Sequence, residues 1–209
     1  MGTTLLIGSC EPFSGKSAVV LGLVRKLLAL KQEIRFGKPL ATSFELDLHA
    51  VTPSPLLIDD DVRFVGETLG LEESQLIPSL QLTSESNALK RLLEGEIQSE
   101  MNFEDLQKTL ANNKSLTVLE AAGSLHEGRL FGLSLSQLAR GLEAHVLLVH
   151  LWQDSRSVDS LLMAKEELGE RLLGIVLNSV NPDEIRFLEN TIVPALDDIG
   201  LKVFGVMPR

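Results

Sequence analysis

One short segment near the start of the chain, residues 8–17 with the sequence GSCEPFSGKS, constrains the fold more than any other. It follows an apolar run at residues 3–7 and precedes apolar residues at helical spacing. A strand, a tight loop ending in Gly-Lys-Ser and a helix typically bind nucleotide phosphates, because loop N–H groups and the helix N-terminus attract negative charge. The segment therefore predicts a phosphate-binding loop. A plain glycine turn between a strand and a helix is the alternative.

The residues of this loop have separate expected roles. In the pattern G-x-x-x-x-G-K-[ST], the lysine reaches the β and γ phosphates and the hydroxyl binds magnesium. Cys10 stands where the first glycine is usual, so the loop is a variant. We interpret Cys10 as a small residue in place of glycine, and a reactive thiol is the alternative. The predicted nucleotide-binding residues of the loop are Glu11, Pro12, Phe13, Ser14, Gly15, Lys16, Ser17 and Ala18.

Composition and charge argue against several classes of protein. The 209 residues, 44% of them apolar, suffice for one large core, so we expect a single domain over residues 1–209. The net charge of −10 argues against nucleic acid or an anionic membrane surface as a partner. The chain lacks both an apolar run of about 18 residues and a signal-peptide pattern. A single cysteine cannot form an intrachain disulfide, which fits a cytoplasmic protein.

Beyond the loop, apolar runs of strand length alternate with segments of helical periodicity. Because the strand segments are apolar nearly throughout, they predict an α/β three-layer sandwich, a mostly parallel sheet with helices on both faces. Residues 44–58 show no period and are expected to form a loop. Asn102 is the expected cap of the helix near residues 103–110, and Ser134 with Gln137 has the form of a capping box at the start of the next helix. The predicted strands lie near residues 3–7, 34–37, 116–120, 145–150, 172–177 and 201–206, and the predicted helices near 17–30, 62–69, 89–93, 103–110, 134–142, 158–168 and 185–199.

Two groups of acidic residues are candidate metal ligands. Glu120 ends a predicted buried strand, at the sheet edge where ligands bind in open α/β folds. With Gly-Lys-Ser upstream, this position favours a magnesium ligand, and a plain surface residue is the alternative. The run Asp59-Asp60-Asp61 precedes a helical pattern. From position alone, these aspartates are interpreted as capping that helix, with a carboxylate near the phosphates as the alternative.

The histidines show no pattern of their own. His49, His126, His145 and His150 have no metal-ligand spacing with Cys10, so the sequence does not predict a zinc site. His145 and His150 bracket a predicted strand and are interpreted as residues of the sheet ends.

Together these residues resemble the dethiobiotin synthetase-like branch of phosphate-loop ATPases, which includes cobyrinic acid a,c-diamide synthase-like proteins. The resemblance is strongest to the dethiobiotin synthetase-like domains fused to phosphotransacetylase-type regions, and it extends over essentially the whole chain. The segments that carry it are residues 10–17, 21–23, 37–39, 59–64, 120, 132–135 and 174–178.

The resemblance implies a P-loop NTPase fold that binds ATP and Mg²⁺. Lys16 and Lys38 are the implied catalytic residues, with Lys38 facing the second substrate. The implied metal ligands are Ser17, Glu120 and one aspartate, for which Asp61 is preferred over Asp59. Asn178 would read the adenine base, and Met207 and Pro208 would lie under it.

The expected function is that of a magnesium-ATP-dependent ligase or synthase acting on an unidentified small acidic substrate of the carboxylate or carbamate type. A regulatory ATP-sensing domain, attached to or partnering a phosphotransacetylase-like protein, is the alternative. The loop of residues 121–124, which replaces the synthetase's Gly-Ala-Gly-Gly, and the chain's end directly after a strand motivate it. That end also predicts the N-terminal part of a longer protein.

Two further expectations concern assembly and membranes. We expect a homodimer, and a dimeric scaffold with nucleotide at a shared interface is a third interpretation of the function. The second lysine of partition and septum-site ATPases, expected around Cys10 and Glu11, is absent. We therefore expect no membrane-cycling ATPase.

Overall fold

The computed structural model describes residues 3–41, 58–82, 85–95, 100–111 and 115–209. Apart from Ile58, the loop predicted over residues 44–58 lies outside the described residues.

Seven parallel strands form the central sheet, in the order β4-β2-β6-β1-β7-β8-β9. β1 carries the phosphate-loop segment at its carboxyl end, and it lies between β6 and β7. β3 and β5 pair separately as a small second sheet. The strands are β1 (Thr4–Gly8), β2 (Ile34–Gly37), β3 (Leu40–Ala41), β4 (Leu76–Ile77), β5 (Gln81–Leu82), β6 (Leu116–Glu120), β7 (His145–Leu151), β8 (Leu172–Val180) and β9 (Val203–Pro208).

Helices cover both faces of the sheet, as the apolar strands require. Successive strand residues point to opposite faces, so Leu6 of β1 packs in one apolar cluster and Ile7 in the other. This confirms the predicted α/β architecture. The helices are α1 (Lys16–Ala29), α2 (Asp60–Leu69), α3 (Glu85–Glu94), α4 (Glu100–Leu110), α5 (Leu135–Gly141), α6 (Ser157–Leu168), α7 (Ile185–Phe187) and α8 (Val193–Asp198), with a π-helical turn Leu188–Ile192 joining the last two.

The two clusters divide the helices between the faces. Residues of α1 and α2 fill one cluster, for example Val20, Val24 and Val65. Residues of α4, α5, α6 and α8 fill the other, for example Leu106 and Leu161. The phosphate-loop segment therefore passes from a buried strand to a helix that is itself fixed by packing.

Local signals at helix starts were correct in two places. Asp59 caps α2, because its side chain accepts a hydrogen bond from the Asp61 N–H, which is the capping role favoured from the sequence. Ser134 and Gln137 form the capping box predicted at α5.

One local expectation differs from the structure, and one confirmed helix has an exposed apolar stripe. Asn102 was expected to cap a helix, but α4 begins at Glu100, so Asn102 lies inside the helix. The helix predicted at Leu89, Leu92 and Leu93 is confirmed as α3, and the side chains of these leucines are exposed. Their apolar spacing therefore marks a helix without marking a buried face.

Among the described residues, no helix combines the length and apolar character needed to cross a membrane.

Candidate functional site

The carboxyl ends of neighbouring strands bring the predicted site residues to one edge of the sheet. The phosphate-loop segment follows β1, Lys38 follows β2, and Glu120 ends β6. Asp61 reaches the same place from the first turn of α2. These groups line one cavity of about 480 Å³. Ligands of open parallel sheets bind at such an edge.

The backbone of the loop depends on glycine at its last turn. Gly15 has φ 85°, in the left-handed region, and immediately precedes α1. The position that a side chain at Gly15 would need is also occupied, because a Cβ there would lie 2.3 Å from Asn178 Nδ2. That amide donates a 2.8 Å hydrogen bond to the Ser14 carbonyl. The end of β8 therefore holds the loop in its turn.

Phe13 lies at the tip of the loop. Its φ of 58° is unusual for a residue with a side chain. The ring is 94% exposed and borders the cavity together with Pro12. Phe13 therefore contributes little to the core, and its ring is accessible to anything bound at the loop.

Lys16 begins α1 and is buried at the bottom of the loop. Its Nζ donates to Ser9 Oγ and to the Gly123 carbonyl, each at 3.0 Å. Burial lowers the pKa of Lys16, and the opposing effect of the Glu120 carboxylate is smaller. The ammonium thus lies between the loop and the segment after β6, where a phosphate would relieve its desolvation.

Ser17 and Glu120 form the second polar pair of the cavity. Ser17 Oγ donates to Glu120 Oε1 at 3.0 Å. Glu120 Oε2 is buried and has no hydrogen-bond partner within the part of the chain that the structure describes. Burial raises the pKa of this carboxyl group above its ordinary value. A hydroxyl and an unpaired carboxylate oxygen are hard oxygen donors, so this pair fits a magnesium ion.

Lys38 forms ion pairs with both candidate aspartates. Its Nζ lies 2.7 Å from Asp61 Oδ2 and 3.4 Å from Asp59 Oδ1. Burial by itself would lower the pKa of Lys38, but the hydrogen bond to Asp61 and the charge of Asp59 outweigh it and raise the pKa. Asp59 is fully buried in its capping role, whereas Asp61 lines the cavity. Of the two, Asp61 is better placed to meet a ligand.

The residues predicted for the base lie farther along the same edge. Asn178 contacts the loop through Ser14, as described above. Met207 and Pro208 are at the end of β9, where Pro208 pairs with Val180 of β8. Neither Met207 nor Pro208 is among the residues that line the 480 Å³ cavity.

Glu11 is placed differently from the other loop residues. Its Oε1 accepts a 2.7 Å hydrogen bond from the Leu151 N–H, and its Oε2 lies 3.0 Å from His150 Nδ1. The carboxylate is therefore directed to the end of β7, although Glu11 was predicted to contact nucleotide. Beside it, burial raises the pKa of Cys10 to about 12, which argues against the alternative of a reactive thiol.

Three further residues surround the Lys16 ammonium, and the sequence analysis assigned a site role to none of them; Gly123 and Glu127 also line the cavity. Ser9 Oγ and the Gly123 carbonyl accept hydrogen bonds from the Lys16 ammonium, and Glu127 adds a carboxylate near it. A Cβ at Gly123 would lie 2.1 Å from Glu127 Oε2, so the carboxylate covers this glycine. Glu127 lies in an irregular segment without periodicity, and no sequence signal marks it.

A family profile described as an AAA domain matches residues 3–209, nearly the whole chain. The chain belongs to this AAA domain family. Together with the phosphate loop between β1 and α1, the match confirms a P-loop NTPase domain of the nucleotide-binding type.

Solved structures support the fold of this AAA domain at low sequence identity. FtsY from Thermotoga maritima is 15% identical with a TM-score of 0.56; the match covers 100% of this chain and 62% of FtsY. A putative plasmid partition protein from Borrelia burgdorferi, bound to AMPPNP, is 14% identical with a TM-score of 0.56, covering 100% and 87%. The septum site-determining protein MinD from Pyrococcus horikoshii, complexed with Mg-ADP, is 14% identical with a TM-score of 0.54, covering 100% and 82%.

The AAA domain spans less than two thirds of the FtsY chains it matches. It covers 58% of chloroplast FtsY from Physcomitrella patens, with a TM-score of 0.56 and 12% identity. At these identities the likeness shows the fold alone.

Proposed function

We propose that this domain binds Mg-ATP and transfers the terminal phosphoryl group to a small acidic substrate of the carboxylate or carbamate type, as in dethiobiotin synthetase-like proteins. One observation carries the proposal. Lys16, the Ser17–Glu120 pair and Lys38 line a single cavity, so the groups for phosphate, metal and a second anion meet there. The resemblance of the sequence to that branch gives the substrate class.

In this proposal, each residue acts through position and charge. Lys16 binds the β and γ phosphates, and its ammonium moves from Ser9 and Gly123 to the phosphate oxygens. Ser17, Glu120 and one aspartate would hold magnesium, with Asp61 preferred over Asp59. Bound magnesium would neutralise charge that develops on the transferred phosphoryl group.

Lys38 would position the second substrate beside the γ-phosphate. A carboxylate oxygen of the substrate would attack the γ-phosphorus of ATP. The bond between the γ-phosphorus and the β–γ bridging oxygen breaks, and ADP leaves. Because Lys38 is paired with Asp61 at 2.7 Å, part of this ion pair must open for the substrate to bind. Replacing Lys38 by methionine should therefore reduce phosphoryl transfer more than nucleotide affinity.

The nucleotide base is the least constrained part of the proposal. Asn178 is held against the loop by its bond to Ser14, which leaves its amide oxygen for the exocyclic amine of adenine. Met207 and Pro208 would lie under the base. The partition protein and MinD noted above were solved with AMPPNP and Mg-ADP, which is consistent with adenine.

Calorimetry tests nucleotide binding directly. We expect Mg-ATP to bind the wild type and Lys16→Ala to weaken the affinity at least tenfold, about 1.4 kcal/mol. Lys26→Ala is the matched control, since Lys26 lies on the exposed side of the same helix. Equal weakening by both variants would contradict the proposed role of Lys16. Equal affinities for ATP and GTP would remove the role of Asn178.

A regulatory ATP sensor is the second candidate, and one observation favours it. Asp59 and Asp61 already neutralise Lys38, and the carboxylates of Glu120 and Glu127 add further negative charge to the cavity. Such a lining suits a metal-bound nucleotide better than a second free anion. If ATP binds tightly but no dicarboxylate or diamino acid stimulates its turnover, the sensor is favoured over the ligase.

A further inference from the structure

A second cluster of ligating side chains lies on the opposite side of the phosphate loop from the magnesium pair. Cys10 and Glu11 lead into the loop, and His150 lies near the end of β7. The Cys10 sulfur, a Glu11 carboxylate oxygen and a His150 ring nitrogen all lie within 4.8 Å of one another. The pairing of β1 with β7 in the parallel sheet brings these two distant parts of the chain together.

The state of His150 points to a ligand. The side chain is 4% exposed, and among the described residues neither of its ring nitrogens has a hydrogen-bond partner. Its Nδ1 lies 3.0 Å from Glu11 Oε2, but the contact lacks hydrogen-bond geometry. A buried imidazole whose ring nitrogens make no hydrogen bond is costly, so an atom that bridges these groups would stabilise it.

Glu11 is already oriented for such a role. Its Oε1 accepts the hydrogen bond from the Leu151 N–H, which fixes the carboxylate plane and leaves Oε2 directed at His150. Outer hydrogen bonds of this kind orient the ligands of metal sites. Cys10 Sγ donates a weak hydrogen bond of 3.6 Å to the Ser160 carbonyl.

We propose that Cys10, Glu11 and His150 bind a zinc-class divalent cation, at a site separate from the magnesium position at Ser17 and Glu120. Sulfur, nitrogen and carboxylate oxygen are the donors that zinc takes, with bonds of about 2.0 to 2.3 Å. Ligand atoms of such a tetrahedral site lie about 3.5 Å apart, so side-chain rotations that bring the group together by about 1 Å complete it.

Charge and access both fit this ion. Binding of the divalent ion displaces the proton of the Cys10 thiol, and the resulting thiolate, together with the Glu11 carboxylate, balances the charge of the ion. The occupied site is therefore close to neutral. Three protein ligands leave a fourth position, as in zinc sites that bind water or a substrate. A cavity of about 510 Å³, lined by Glu11, His150 and Asp154 among others, gives access to it.

Binding of Co²⁺ tests the site, and the sequence makes the spectroscopic signal specific to one residue. Cys10 is the only cysteine, so any thiolate-to-cobalt charge-transfer band must come from it. With excess MgCl₂ present to fill sites of hard oxygen ligands, we expect one Co²⁺ per chain to produce this band and Zn²⁺ to remove it. Absence of the band in the folded wild type would overturn the proposal.

Variants add a second readout. We expect Cys10→Ser to abolish the band, and both Cys10→Ser and His150→Gln to weaken Zn²⁺ binding at least tenfold in competition with a chelator. His145→Gln is the control, because His145 is exposed at the other end of β7 and should leave binding unchanged. Zinc should also raise the melting temperature of the wild type but not of Cys10→Ser. Equal zinc affinity in the wild type and both site variants would assign the metal to other groups and refute the site.

Discussion

Replacing Gly15 with alanine tests the geometry on which the phosphate loop depends. Gly15 is in the left-handed region with φ 85°, and a Cβ there would lie 2.3 Å from Asn178 Nδ2. The substitution therefore introduces two separate costs, one from the backbone and one from the contact. Both act on the folded protein without nucleotide.

The magnitude follows from these two terms. Holding alanine in the left-handed region costs about 1–2 kcal/mol. Moving the Asn178 amide away to relieve the contact loses its hydrogen bond to Ser14, about 1 kcal/mol. We expect the free energy of unfolding to fall by about 2–3 kcal/mol.

Gly70→Ala is a matched control for the backbone term. Gly70 has φ 66°, and nothing lies within 4 Å of a Cβ there. Both substitutions restrict the unfolded chain equally, so that contribution cancels in the comparison. We expect Gly70→Ala to cost about 1–2 kcal/mol, which leaves the difference to the Asn178 contact.

Urea unfolding at neutral pH, without nucleotide, measures both variants. Truncating Asn178 to alanine in the Gly15→Ala background removes the contact, so the two substitutions should cost about 1 kcal/mol less together than the sum of their separate costs. Equal destabilisation by Gly15→Ala and Gly70→Ala, or strict additivity with Asn178→Ala, would refute the reasoning.

Three further predictions concern the same fold. Because burial raises the pKa of Glu120, its stability contribution is present below the ordinary carboxyl pKa and is lost as pH rises through the raised value. The Glu120→Gln variant should therefore unfold at a higher urea concentration than the wild type at neutral pH, and this difference in stability should shrink in acid. Calorimetry should show that nucleotide binding depends less on magnesium in the variant. Ser134→Ala removes the capping box of α5 and should cost about 1 kcal/mol in urea unfolding. Leu148→Ala, in the fully buried part of β7, should cost about 2–5 kcal/mol, and a loss below 1 kcal/mol would contradict its place in the core.

The parts of this fold that could be predicted are those with local causes. The apolar run, the glycines and the helical spacing around the phosphate loop each specify neighbouring backbone, so β1 and α1 appear where expected. Glu120 was recognisable because an apolar strand ends there, and parallel pairing fixes which sheet edge it reaches. The caps at Asp59 and Ser134 also involve only residues two or three positions apart.

The remainder depends on contacts between distant segments. The Lys16 ammonium donates a hydrogen bond to the Gly123 carbonyl, and the Asn178 amide donates one to the Ser14 carbonyl. No spacing in the sequence encodes either pair. The same holds for His150 and Cys10, whose separation along the chain shows no ligand pattern although the pairing of β1 with β7 brings them together. Periodicity correctly marked α3, but a stripe of leucines specifies a helix and not its burial, and Leu89, Leu92 and Leu93 are exposed.

The proposed nucleotide site contains two desolvated groups of opposite charge, Lys16 and Glu120. Burial lowers the pKa of Lys16 and raises that of Glu120, so each ionised group costs folding energy even though the other lies nearby. In the proposed complex, a phosphate would supply the charge that compensates Lys16, and a magnesium ion would supply the charge that compensates Glu120. Each ligand would compensate a different buried group, and the two ligands also attract each other. We therefore infer that magnesium and the triphosphate bind this loop cooperatively. Relief of the desolvation of the two side chains contributes to the affinity for both ligands.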